Sequence, residues 1–126
     1  MTGLYSNAAL EKLCEGVSVG SDENFIFVKI CGTLGSRSVR VIRDYVSGHD
    51  DADGGKMYVV DLFDSGYVGS ELGTIINMLN NNSQKSRVSI LVKESSQASD
   101  VLDLIGLSNN HFVYKNKDGL DIALSR

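Results

Sequence analysis

Apolar and polar positions along this chain follow two periods, and the change from one to the other marks out its elements. Met57 to Val60, with Leu62 and Phe63 after them, form an apolar run rich in β-branched and aromatic residues. That pattern predicts a strand with both faces covered, as at the centre of an α/β sheet. The run stops at Asp61 and Asp64, and a short turn, Ser65-Gly-Tyr-Val-Gly-Ser70, follows. Beyond it Leu72, Ile75, Ile76 and Leu79 recur at i, i+3, i+4 and i+7, the apolar stripe of a helix lying on that sheet. Ser70 falls at the predicted N-cap, where a side-chain oxygen can accept from the orphan amides of the first turn, and Glu71 sits where the helix dipole favours an anion.

The same reading extends to the rest of the chain. Phe25-Ile-Phe-Val-Lys-Ile-Cys-Gly32 and Arg87-Val-Ser-Ile-Leu-Val-Lys93 predict two more core strands, and Phe112-Val-Tyr-Lys115 a short one. From Ser36 to Val46 the period is helical. Val39, Ile42 and Val46 share a face, with Val41 and Tyr45 beside them. Arg37, Arg40 and Arg43 project to the other side, either as a solvated face or as part of a partner-binding surface. Ser95 to Asp100 offers caps for a third helix with Val101, Leu102, Leu104 and Ile105 inward, ending at Gly106, and Gly119 opens a last helix. Near the start, Leu10, Leu13 and Cys14 at helical spacing, between Asn7 and Gly16, predict a short helix within a 1–21 extension, with an edge strand after it. This helix packs on the domain, caps an edge strand or pairs two copies into a homodimer; the pattern leaves all three open. The order, strand alternating with helix, is α/β: a central mixed sheet of four to five strands with helices mainly on one side, over residues 22–126.

Composition narrows the function. At 126 residues with 42% hydrophobic content, the chain is one domain with a single substantial core. A net charge of −4 and the lack of a basic stripe make nucleic acid a poor partner. Neither a signal peptide nor a membrane span is present, and Cys14 and Cys31 lack metal-ligand spacing, so a reducing cytoplasm fits best. His49, Asp50, Asp51 and Asp53 invite a metal, but their spacing matches no calcium loop and the segment from Ser47 to Gly55 reads as a solvated polar loop. Catalysis has no visible machinery: His49 and His111 are not paired with a nucleophile, and the glycines from Gly66 to Gly73 fit neither a phosphate loop, a dinucleotide fingerprint nor a hydrolase elbow. No catalytic residue, metal or cofactor is therefore expected.

Val59-Val-Asp-Leu-Phe, the turn, and Val68-Gly-Ser-Glu-Leu-Gly-Thr-Ile-Ile76 together resemble the central signature of the STAS domain, the fold of bacterial anti-sigma factor antagonists and of the cytoplasmic tails of sulfate transporters. Gly32-Thr-Leu34 before a helix is similar to the family's opening, and Ile105-Gly-Leu107 to its closing Gly-Leu; the resemblance covers Phe25 to Leu124. It implies a regulatory protein–protein interaction module, not an enzyme. Its partner would be a Ser/Thr kinase that doubles as anti-sigma factor, with a phosphatase to reset it. The family's phosphorylated serine falls on Ser70, with Ser65 a weaker acceptor. The implied partner-binding face is Asp64, Ser65, Tyr67, Gly69, Ser70, Glu71 and Gly73. Two departures favour an alternative, a STAS subunit docked constitutively on a larger signalling or transporter complex. Gly69 stands where the regulators carry aspartate, and Glu71 adjoins the acceptor, where it would repel a phosphate. Small-ligand or nucleotide binding rests on the glycines alone.

Overall fold

Strands apolar at both parities need cover on both sides, and the chain supplies it. The structure, a computed structural model, describes residues 10–21, 25–50, 57–82, 88–106 and 113–124. Among these the elements run β1 (Glu11–Cys14), β2 (Val17–Ser21), β3 (Phe25–Ile30), α1 (Ser36–Asp50), β4 (Met57–Asp61), α2 (Glu71–Asn82), β5 (Val88–Leu91), α3 (Gln97–Leu104), β6 (Val113–Tyr114) and α4 (Lys117–Leu124). The strands form one mixed sheet in chain order, β1 to β6. The first two pairings are antiparallel and the last three parallel.

Each parallel step moves one strand in the same direction, and right-handed crossovers then bring α1, α2 and α3 to the same side. The packing agrees. Ile42 and Val46 of α1, Leu72, Ile75, Ile76 and Leu79 of α2, and Ala98 and Leu102 of α3 share one core with Ile26, Val28, Ile30, Tyr58, Val60 and Ile90. The alternate residues Phe27, Val59 and Leu91 face the other way, where Leu120 of α4 covers them and Leu10, Phe25, Phe63 and Tyr114 pack around it. Leu72, Ile75 and Leu79 have no exposed surface, so the stripe that defines α2 contributes about 1.5–3 kcal/mol per side chain. Among the described residues no helix is long and apolar enough to cross a membrane.

The amino-terminal segment differs from expectation. Glu11–Cys14 is a strand paired with β2, not a helix, and residues 10–21 bring the sheet to six strands instead of four or five. The helical spacing has a physical source. The register shifts between Lys12 and Cys14, a bulge that turns Leu13 and Cys14 toward the same core while Leu10 joins the opposite one. Gly16, expected to stop a helix, instead turns the β1–β2 hairpin with φ +83°, and its carbonyl accepts from the Cys31 amide at 2.8 Å. Two other boundaries move. Helix α1 runs through Ser47 to Asp50, so His49 and Asp50 lie in its last turn, and α4 starts at Lys117, where the Asn116 Oδ1 accepts from the Gly119 amide at 2.6 Å. Residues 1–9, Asp51, Asp53, Leu107 and His111 lie outside the described residues.

Candidate functional site

The carboxyl ends of β3 and β4 do not separate where the strands end. Gly32 and Ser65 form one further parallel bridge. The Gly66 amide donates to the Gly32 carbonyl at 2.7 Å, and the Leu34 amide to the Tyr67 carbonyl at 2.9 Å. Such an approach needs a missing side chain: a Cβ on Gly66 would lie 3.3 Å from the Gly32 carbonyl carbon. Within the turn, the buried Asp61 accepts from the Phe63 amide through Oδ1 at 2.9 Å. The Ser65 amide and hydroxyl both donate to the Leu62 carbonyl, at 3.1 and 2.8 Å. Aspartate and serine here satisfy turn amides and carbonyls, their ordinary work at such a place.

Two contacts anchor the turn from elsewhere. Gln97, the first residue of α3, donates from Nε2 to the Val68 carbonyl and accepts the Val68 amide on Oε1, both at 2.8 Å. Its side chain thus pairs with Val68 as a neighbouring strand would. The Lys117 ammonium stands 5.1 Å from the centroid of the Phe63 ring, a cation–π contact from α4. The turn is therefore held by the β3 loop, α3 and α4 together.

On this frame Ser70 is exposed, immediately before α2, and its carbonyl accepts from the Thr74 amide at 3.3 Å. Its hydroxyl makes no hydrogen bond to the described residues, so the side-chain cap expected of it is not formed. Ser65 differs: it is half-buried and its hydroxyl is engaged. Around Gly69, a Cβ would lie 3.0 Å from Glu71 Oε1 and 3.5 Å from Tyr67 Oη, so a side chain at position 69 would make the Glu71 carboxylate, the far end of a flexible side chain, give by a few tenths of an ångström. The two departures from the STAS signature are thus one packing arrangement. Asp64 is exposed and pairs loosely with Lys29 at 3.8 Å, a contact worth at most a few tenths of a kcal/mol at such exposure.

All seven residues named for the partner face lie in this turn and the first turn of α2, and Tyr67 is 61% exposed. Sequence reasoning missed their neighbours. Leu104 and Ile105, expected inward, are 85% and 40% exposed, and Ile105 Cδ1 lies 3.8 Å from where a Gly73 Cβ would be. Leu104 sits about 200° around the helix from the buried Leu102, which the apolar run concealed. Gln97 carried no signal at all, since a glutamine opening a helix reads as a surface residue. Among the described residues no cluster of three or more histidines, cysteines and carboxylates could hold a metal ion.

The mixed sheet with three helices on one face has the STAS fold, as the solved structures similar to it show. No family model matches the chain, and no curated protein matches it in sequence. Among solved structures, it is similar to the anti-sigma factor antagonist SpoIIAA in its unphosphorylated form, with a TM-score of 0.67 and 14% identity over 94% of this chain and 96% of that one. It is also similar to an anti-sigma factor antagonist from Mycobacterium paratuberculosis, with a TM-score of 0.62 and 14% identity over the full length of both chains.

Proposed function

We propose that this chain is a regulatory protein–protein interaction module of the anti-sigma factor antagonist kind, binding its partner through the surface from Asp64 to Gly73. The observation that carries the reading is the exposed hydroxyl of Ser70, without a partner among the described residues, at the start of a helix whose preceding turn is fixed on three sides. The partner is a Ser/Thr kinase that doubles as anti-sigma factor. It transfers the terminal phosphoryl group of ATP to the Ser70 Oγ, and the hydroxyl proton leaves to a base of the kinase. The chain is then a substrate, not a catalyst, and a phosphatase restores it.

Phosphorylation adds roughly −1.5 to −2 charges at neutral pH, and the positive end of α2 tolerates them, so the fold survives modification. Binding does not. The new charge would have to be desolvated in the interface, beside Glu71 and the exposed ring of Tyr67. Tyr67, three residues before Ser70, and Ile105, whose Cδ1 lies 3.8 Å from a Cβ position at Gly73, offer exposed apolar surface beside the switch, with Leu104 next to Ile105 in sequence.

The Glu71 carboxylate against Gly69 favours a second reading, constitutive docking on a larger signalling or transporter complex without phosphorylation. Incubating the purified chain with extract of its native cells and labelled ATP separates the two. Switching requires label on the wild type and none on Ser70→Ala. Constitutive docking instead requires equal co-purification of one partner by wild type, Ser70→Ala and Ser70→Asp.

A further inference from the structure

Helices α1 and α3 flank α2 on one face of the sheet and carry opposite charge on their outer surfaces. On α1, Arg37, Arg40 and Arg43 are all exposed, and none is in an ion pair with a described residue. Spaced three residues apart, they climb the helix in steps of about 4.5 Å. The face also bears the exposed Asp44, leaving three positive charges against one negative. On α3, Asp100 and Asp103 are exposed at the same three-residue spacing, with Leu104 beside them; the helix itself contains no basic residue, but the Lys115 ammonium donates to the Ser99 Oγ at 3.0 Å, leaving two negative charges against one positive. In helical projection Asp100 and Asp103 stand to each other as Arg40 does to Arg43, about 60° apart.

We infer that copies of this chain associate head to tail, the arginine face of α1 in one copy docking on the aspartate face of α3 in the next. The two surfaces differ, so the contact is heterologous, and each copy keeps one free face of either sign, which extends the assembly beyond a dimer. Charge complementarity selects a second copy over other anionic partners. Three arginines are fewer than the 4–8 basic residues, as a rough guide, of a lipid-binding cluster. The net charge of −4 opposes approach to anionic membranes or nucleic acid and equally to a second copy, so the contact rests on the local pairing of the two faces. Exposed pairs are individually weak and screened by salt, so the association is weak and sensitive to ionic strength. It does not depend on phosphorylation of Ser70.

Sedimentation equilibrium of the full chain tests this without any partner. At low ionic strength the weight-average mass rises past that of a dimer as concentration increases, and it falls to the monomer in high salt. R40E/R43E and D100K/D103K, changed only at exposed positions and checked for fold by circular dichroism, each lose self-association by at least about tenfold in dissociation constant. Mixed together they associate again past a dimer, because the intact aspartate face of one meets the intact arginine face of the other and the two reversed faces are complementary as well. A wild type that stays monomeric at low salt overturns the inference. So do variants that associate as the wild type does, or a mixture that stays monomeric.

Discussion

Replacing Gln97 by alanine tests the frame that presents Ser70. The change removes two hydrogen bonds of 2.8 Å to the amide and carbonyl of Val68, a residue buried two positions before Ser70. Each such bond contributes about 0.5–1.5 kcal/mol net. Gln97 itself is exposed, so water can replace part of the lost pairing, while alanine returns a few tenths of a kcal/mol in helix propensity. The expected loss is about 1–2.5 kcal/mol, measured by urea denaturation, which corresponds to a drop in Tm of roughly 3–10 °C for a domain of this size. Gln97→Glu keeps an acceptor for the Val68 amide but sets an oxygen against the Val68 carbonyl, so it is expected to lose about as much. Amide exchange gives the local reading. The Val68 amide should exchange faster in both variants, while the amides of β4 keep their protection. A loss below about 0.5 kcal/mol with Val68 exchange unchanged would refute the clamp.

Other changes probe independent parts of the structure. Gly16→Ala combines a φ of +83° with a Cβ that would meet the Cys31 carbonyl oxygen at 2.6 Å; a destabilisation of about 2–4 kcal/mol is expected in the same denaturation assay. Leu72→Ala empties a fully buried position on α2 and should cost about 2–5 kcal/mol, with loss of the cooperative transition at physiological temperature as the severe end. Leu104→Ser alters a side chain 85% exposed, so stability should stay within about 0.5 kcal/mol of wild type, while affinity for the partner, measured by titration calorimetry once it is in hand, should fall.

The core of this fold was legible because its signals are local. The apolar run of β4, the glycine-bearing turn and the stripe of α2 stand in one stretch of 23 residues, from Met57 to Leu79, and each agrees with its neighbours. The amino terminus misled for an equally physical reason. A bulge in β1 put Leu13 and Cys14 on one face, and Leu10 found cover on the other, which imitates a helical stripe that only the pairing with β2 contradicts. Gly16, placed by the sequence as the stop of a helix, has its positive φ in a hairpin turn instead. At the site, the residues contiguous with Ser70 could be named from sequence, but Gln97 is 29 positions beyond Val68, and only folding brings its amide there. Gly69 and Glu71, read separately as departures from a signature, become one feature when their distance is known.

The proposed switch stands or falls on Ser70. Intact-mass spectrometry of the protein isolated from its native cells, with the site mapped by fragmentation, addresses it directly. The expected result is one phosphate on Ser70, absent from Ser70→Ala, in a fraction that changes with growth or stress. Absence of phosphate under every condition, or a phosphate elsewhere that persists in Ser70→Ala, would contradict it.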